Sequence, residues 1–219
     1  MSATVNPFNL RKQLAFYGAY HTNPVNVGIH ILGVPSIIFA TSALLAKQGT
    51  IFPYVQDHFP LAAAYLSQAG SQLAAVLPAK VFEYAQLNLA AVFMGSYWLY
   101  YSVLDTTAAL LLAPIWYALW YGSTVLARTR PDATKIAVGI KAFGWISQFY
   151  GHGVHEGRAP ALLDNLLGAV VLAPFFVFLE VIFHFGYRPQ LQKELKNDVG
   201  VLVTRFRTEK AKAKRGKAN

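Results

Sequence analysis

Long apolar runs alternate with short polar segments along this chain. Three runs, at residues 27–46, 87–104 and 107–127, contain no Asp, Glu, Lys or Arg. A transmembrane helix needs about 20 mainly apolar residues to cross roughly 30 Å of hydrocarbon. We therefore predict a membrane-spanning helix for each run. Only two residues separate the second run from the third, which predicts a tight helical hairpin.

The first 58 residues also contain two segments that are less apolar than these runs. In residues 8–20, apolar side chains recur at helical spacing, with Arg11 and Lys12 on the other side. This pattern predicts a short helix that lies in the membrane interface. The polar residues of 47–58 predict a loop.

Three further segments have alternative membrane roles. Residues 59–79 are uncharged but rich in Ala and Gln, so they form either a span or a helix outside the hydrocarbon, and 136–150 is a short amphipathic segment. The run 162–187 contains Pro174 and is either a kinked span or a re-entrant hairpin. The predicted fold class is all-α, a polytopic membrane helical bundle with short interfacial helices.

The amino-acid composition agrees with a membrane-embedded chain. The distribution of basic residues separates an apolar body from a basic C-terminal segment. Hydrophobic residues make up 55% of the 219 residues and charged residues 13%, against about 25% charged in globular domains. Ten of the 19 Lys and Arg residues lie in 188–219. We predict a membrane-embedded catalytic domain over 1–187 and a basic cytoplasmic tail over 188–219 near anionic lipid. Nucleic-acid binding is disfavoured, because these basic residues lack interleaved aromatic residues.

The positive-inside rule predicts a topology. If 59–79 spans the membrane, four helices return the chain to its starting side before residue 128. The tail joins that side if 162–187 turns back at Pro174, which we favour, or if 136–150 also spans. The residues then expected on the cytoplasmic side are Arg11, Lys12, Arg128, Arg130 and Lys135.

The candidate chemistry rests on histidine. The chain has no cysteine, so a metal ion would need nitrogen or oxygen ligands. In the second half of the chain, His152 and His155 are three residues apart, which places both imidazoles on one face of an α-helix. Glu156 follows them as a ligand, a base or an acceptor for a ligand's N–H.

A second pair of histidines lies near the start of the chain. His21 and His30 are nine residues apart and would point to opposite faces of a straight helix. A turn through Asn23 and Pro24 brings His21 back over the next helix, where Asn26 and His30 share a face. Together, the four histidines predict a nitrogen-rich site for iron, zinc or copper.

Other polar residues have both structural and functional interpretations. Arg158 is either a carboxylate-binding group or an interfacial arginine. Glu180 and His184, four apart in an apolar run, either satisfy each other or take part in catalysis. His58, in a polar segment, is expected to be incidental. Asp164 and Asn165 either orient ligating imidazoles or cap a helix.

Two motifs resemble a known family. They are FYGAYHTNPVNVGIHILGVP near the start and WISQFYGHGVHEGRAPALLDNL near the end, followed by LAPFFVFLEVIF. Both are similar to segments of the 2-hydroxy fatty acid dioxygenases, small membrane proteins found in fungi and bacteria. The middle of the chain, roughly 48–85, matches less distinctly.

The resemblance carries several expectations. It implies an Fe(II)-dependent reaction with molecular oxygen that shortens a 2-hydroxy fatty acid by one carbon, in alpha-oxidation and phytosphingosine breakdown. It implies an endoplasmic reticulum membrane protein, and it implies His21, His30, His152 and His155 as the essential histidines. Glu156 and Arg158 are the expected catalytic groups beside them.

Three other functions compete with this one. A two-iron membrane hydroxylase would need more clustered histidines than the single HxxH found here. A haem-binding membrane protein would need two histidines on facing helices, one on each side of a porphyrin. A non-enzymatic membrane scaffold would leave the histidines without a chemical role.

Overall fold

The computed structural model describes residues 6–76, 78–79, 83–160 and 168–216. Within these residues the fold is helical, and an isolated β-bridge joins Thr50 to Asn88. Two π-helices, Gly151–Glu156 and Gly168–Leu172, follow the seventh α-helix. The α-helices of the described residues are α1 Leu10–Gly18, α2 Pro24–Ala46, α3 Phe52–His58, α4 Pro60–Val76, α5 Leu89–Leu104, α6 Thr106–Thr129, α7 Ala133–Tyr150, α8 Ala173–His184 and α9 Pro189–Gly216.

The all-α membrane-type bundle predicted from the sequence is confirmed. Among the described residues, α2 and α6 are long and apolar enough to cross a membrane, with mean hydropathies of 1.9 and 1.4. The segments Val170–His184 and Pro189–Glu209 form a third candidate, a pair bent by 119° that is either a broken span or a re-entrant loop. This bend lies beyond Pro174, at the turn between α8 and α9.

Three local predictions need correction. The run 87–104, predicted to span the membrane, forms α5, which at 16 residues is shorter than the candidate spans. The segment 47–58 is not a loop throughout, because it contains α3, whose first turn includes Pro53. Proline stabilises this position, since its fixed φ suits a helix and the first turn needs no N–H donor. The segment 59–79 contains α4, which is only 17 residues long and mostly exposed. It is not among the candidate spans.

The described contacts group the chain into two compact units. The first consists of Met1–Val34, Val103–Asp105 and Trp145–Asn219. In it, α1 packs along α9, and the Arg11 guanidinium donates hydrogen bonds to the carboxylates of Glu194 and Asp198. The predicted division of the chain at 187/188 stays a prediction.

An ion pair fixes the turn between α8 and α9 within the first unit. The buried carboxylate of Asp105 accepts hydrogen bonds from the Tyr187 hydroxyl at 2.8 Å and from Arg188 Nη1 at 2.7 Å. Arg188 has a φ of 47°, in the left-handed region that non-glycine residues rarely adopt. The ion pair therefore holds the backbone at the point where the chain changes direction.

The second unit consists of Pro35–Ser102 and Thr106–Gly144. The predicted hairpin is confirmed: α5 ends at Leu104 and α6 begins at Thr106. Two indoles join its helices, since Trp98 Nε1 donates to the Ala109 carbonyl and Trp116 Nε1 to the Met94 carbonyl. Buried alanines let helices approach closely in this unit. They form two clusters, Ala40, Ala43 and Ala137, and Ala46, Ala90 and Ala127.

Candidate metal centre

Three histidines from separate segments meet in the first unit. His21 follows α1, His30 lies in the second turn of α2, and His152 lies in the first π-helix. Their ring centroids are 4.4, 4.8 and 4.9 Å apart, and all three side chains are buried. One ring nitrogen from each lies within 4.8 Å of the other two, so the three can share one metal ion. We call these residues the histidine triad.

The end of α1 orients His21. Its ring stacks on the Tyr17 ring with centroids 3.8 Å apart. His21 Nδ1 lies 2.8 Å from the Tyr17 carbonyl oxygen. A carbonyl only accepts, so Nδ1 carries the proton and the lone pair lies on Nε2. This Nε2 is buried and has no hydrogen-bond partner, which leaves it available to a metal ion.

The start of α2 orients His30 in the same way. The side chain of Asn23 caps the helix, accepting a hydrogen bond from the Val25 N–H at 2.9 Å. His30 Nδ1 lies 2.9 Å from the Asn26 carbonyl, so its lone pair is also on Nε2. The predicted turn through Asn23 and Pro24, which returns His21 to the next helix, is confirmed by the ring contact between His21 and His30.

The hydrogen bond to the carbonyl four residues earlier does not itself mark a ligand. His58 and His184 make the same bond, to Tyr54 and Glu180, yet both are exposed and lie outside the triad. Burial and convergence therefore distinguish the triad. In the pair Glu180 and His184, the imidazole bonds the backbone carbonyl of Glu180 rather than its carboxylate.

The π-helix changes the geometry expected for His152 and His155. Its hydrogen bonds close at i+5, so residues three apart do not share a face as they would in an α-helix. His152 joins the triad, whereas the His155 ring contacts Tyr150 at 5.4 Å. The structure does not bring His155 into the group, and its role as a fourth ligand stays a prediction. His152 Nδ1 is buried and has no hydrogen-bond partner.

Glycine permits the close approach of the π-helix to α2. A Cβ atom added at Gly151 would collide with the side-chain oxygen of Asn26 and lie 3.3 Å from Ile29. At the other end, Gly157 has a φ of 61° and terminates the π-helix. The absence of a side chain at Gly151 therefore lets the π-helix lie directly against Asn26 of α2.

Glu156 ties the π-helix to the turn that carries His21. Its carboxylate accepts hydrogen bonds from the backbone N–H groups of Thr22 and Asn23, both at 3.0 Å, and from the side chains of Thr22 and Asn26. Burial acts to raise the pKa of this carboxyl, but the hydrogen bonds outweigh it, and the net pKa is lowered. Glu156 is therefore an ionised acceptor that fixes the loop beside the triad.

Arg158 packs against the end of α1. Its guanidinium lies between the rings of Tyr20 and Phe206, 3.4 and 3.8 Å from their centroids. One N–H donates to the Ala19 carbonyl at 3.1 Å. Its positive charge also acts to lower the pKa of His152, so Arg158 stands close enough to influence the triad.

The triad offers neutral nitrogen ligands. Burial, followed by the neighbouring His30, lowers the pKa of His21 well below its ordinary value. Burial also lowers the pKa of His152. Neutral imidazoles with unpartnered buried nitrogens fit iron, zinc or copper. The close ring spacing leaves no gap for a porphyrin between any two of these rings, which weighs against the haem alternative.

The sequence indicates some of the residues at this site but not all of their hydrogen-bond partners. The sequence indicates Glu156 as a functional residue, but not the Thr22 and Asn23 N–H groups that donate to it. The Asn-Pro pair at a helix start predicts a cap, whereas a partner more than 130 residues away leaves no local pattern. Asp164 and Asn165 lie outside the described residues.

The fold and site define a class: a helical membrane-type protein with a buried histidine group able to hold a metal ion. The chain belongs to the Mpo1-like family, described as 2-hydroxy-palmitic acid dioxygenase Mpo1-like, whose model matches residues 8–185. It is 32% identical over 203 residues to the 2-hydroxy-palmitic acid dioxygenase MPO1 of Saccharomyces cerevisiae. The matched region covers 92% of this chain and 96% of the relative. No solved structure matches the chain.

Proposed function

We propose that this protein is a dioxygenase that shortens 2-hydroxy fatty acids by one carbon, with Fe(II) held by the histidine triad. Family membership and the activity named for the yeast relative support the reaction class. The observation that carries the metal assignment is the convergence of three buried imidazoles, two of which present unpartnered nitrogens. These are the features of a nitrogen-ligated metal centre rather than of a scaffold.

The proposed reaction balances. A 2-hydroxy acid and one O2 give the acid one carbon shorter, carbon dioxide and water. The bond between the carboxyl carbon and the 2-carbon breaks, the 2-carbon becomes the new carboxyl carbon, and O2 takes up four electrons. Bound Fe(II) would supply the one-electron chemistry that lets molecular oxygen react with a closed-shell acid.

We assign separate roles to the residues around the triad. His21, His30 and His152 would hold the metal, and Glu156 is a positioning residue because its carboxylate bonds the loop between His21 and α2. We propose that Arg158 neutralises the substrate carboxylate through the N–H groups that Ala19 does not engage. Packing between two aromatic rings limits the motion of its guanidinium.

The membrane-type fold suits a lipid substrate. We propose that the protein is a multi-pass protein of the endoplasmic reticulum membrane that acts in fatty acid alpha-oxidation and sphingolipid degradation. Its partners would be the 2-hydroxy fatty acid, O2 and membrane lipid. Apolar helices suit such a substrate, because transfer of its alkyl chain out of water is favourable.

The direct test is turnover by the purified protein. The protein is purified without oxygen, reconstituted in lipid nanodiscs with Fe(II), and given a 2-hydroxy fatty acid and O2. The proposal predicts an acid one carbon shorter and one O2 consumed per acid, with no product from the unhydroxylated acid. Absence of product from folded, iron-containing protein across a range of chain lengths would overturn it.

A further inference from the structure

A cavity of about 730 Å³ lies between α1, α8 and α9 in the first unit. Its size falls within the roughly 300–1,000 Å³ typical of small-molecule sites. One face of α9 forms a wall, with lining residues that recur at alternating spacings of three and one. This is the helical repeat of a face turned toward neighbouring elements.

The cavity reaches one member of the histidine triad. His21 and Thr22 line it, so one end reaches a proposed metal ligand. Contacts between α1 and α9 give the direction: Arg11 bonds Glu194, and further along Val203 packs against Ala19 and Tyr20. Residues of α9 near Val203 therefore lie toward His21.

The opposite end lies at the turn between α8 and α9. There Gln192 Nε2 donates to the Phe183 carbonyl at 3.0 Å, and both residues line the cavity. The wall between the two ends is apolar and includes Leu14, Leu195 and Val199. Three charged side chains also line the cavity. Lys196 and Arg207 are exposed, so their charged groups can remain in water, whereas Glu180 is partly buried.

We propose that this cavity binds the alkyl chain of the substrate, with the carboxyl end at His21 and the methyl end toward Phe183. The proposal rests on the proposed function for the identity of the acid. It adds a binding site and an orientation, and both follow from the cavity's contact with the triad at one end only. The length of cavity available beyond His21 would then select chain length.

Gly200 is the position that tests this assignment. It lines the cavity, and a Cβ atom added there meets no heavy atom within 4 Å. A larger side chain can therefore begin at this position without a collision at Cβ, and replacing an internal helical glycine favours the helix. Thr204 also lines the cavity, one turn nearer His21. The neighbouring Val201 does not line it and is 69% exposed.

The experiment compares Gly200→Phe and Thr204→Phe with Val201→Phe as the matched control, all in nanodiscs. The kcat/KM is measured for saturated 2-hydroxy acids that differ only in length. Gly200→Phe should lower the value for the longest acids by roughly tenfold or more relative to the shortest. Thr204→Phe should move the loss to shorter acids, and Val201→Phe should keep the wild-type profile.

Binding of unhydroxylated fatty acids to the same proteins before iron is added separates the two proposals. Chain-length-dependent binding that Gly200→Phe weakens, in a wild-type protein without turnover, would support the cavity and contradict the proposed function. Wild-type turnover with the same length profile in all three variants would overturn the cavity assignment. A correctly inserted Thr204→Phe decides the matter if Gly200→Phe does not fold.

Discussion

At the scale of single residues, the triad depends on atoms that sequence spacing only partly reveals. The turn at Asn23 and Pro24 predicted that His21 returns over α2, because proline restricts the residue before it. The pairing of His152 with His155 assumed an α-helix, and the π-helix at this point changes which residues share a face. No local sequence pattern indicated that the hydrogen bonds close at i+5 here rather than at i+4.

Glu156→Gln tests the positioning role of the carboxylate. The amide would turn an N–H donor toward the donors of Thr22, Asn23 or Asn26, so the loop before α2 should loosen. We expect metal affinity to fall roughly 10–100-fold, as when groups that orient ligands are lost. Metal titration of the purified protein measures this.

Two further variants serve as controls for Glu156. Glu209→Gln removes an exposed carboxylate paired with Arg205 and should leave metal affinity unchanged. Thr22→Val removes one donor and should reproduce part of the loss. Unchanged affinity in Glu156→Gln would show that the carboxylate does not position the triad.

Arg158→Ala tests the carboxylate partner. Removing the guanidinium should raise the KM for the acid roughly 10–100-fold, the range expected for hydrogen bonds to a charged group. The inhibition constant of the corresponding methyl ester, which lacks that charge, should change far less. Equal effects on acid and ester would assign Arg158 to packing between Tyr20 and Phe206 alone.

At the scale of elements, long uncharged apolar runs in the sequence predicted the positions of the longest apolar helices. The predicted 27–46 and 107–127 became α2 and α6, with ends shifted by at most three residues. The association of α9 with α1 could not be predicted in this way. It depends on contacts such as that between Arg11 and Asp198, which are 187 positions apart.

Gly18→Ala tests the close packing of α1 on α9. The new Cβ would lie 2.8 Å from Val199 Cγ2, so either the Val199 side chain or the helices must shift, at a cost of about 1–3 kcal/mol. Thermal unfolding in detergent should show the loss, and adding Val199→Ala should recover part of it. Gly70→Ala, where a Cβ meets nothing within 4 Å, should not destabilise. Additive effects of the two substitutions would contradict this packing.

At the scale of the whole molecule, composition and hydropathy predicted a helical membrane protein, but charge alone did not determine its topology. Within the second unit, Lys47 Nζ donates to the Ala127 carbonyl at 3.4 Å, so the ends of α2 and α6 lie together. If α2 crosses the membrane, we expect Arg128 on the side where α2 ends and Lys12 on the side where α2 begins. The alternative, in which Arg11, Lys12 and Arg128 share one side, counted 59–79 as a span and stays a prediction.

Single-cysteine labelling measures that topology, because the chain has no cysteine of its own. In sealed vesicles, an impermeant maleimide should reach Gln48→Cys and Arg128→Cys from one side and Lys12→Cys from the other. All three positions are exposed, so access depends on the membrane. Labelling of all three from the same side would contradict a membrane-crossing α2.

Iron stoichiometry of histidine variants tests the central claim most directly. His21→Ala, His30→Ala and His152→Ala are each purified without oxygen and compared with wild type and with the matched control His58→Ala, which removes an exposed histidine outside the triad. The account predicts about one iron per wild-type and His58→Ala chain, and near-complete loss in each triad variant that remains membrane-inserted. It also predicts that His155→Ala retains more iron than His152→Ala. Full iron content in the triad variants, or equal loss in His58→Ala, would contradict the account.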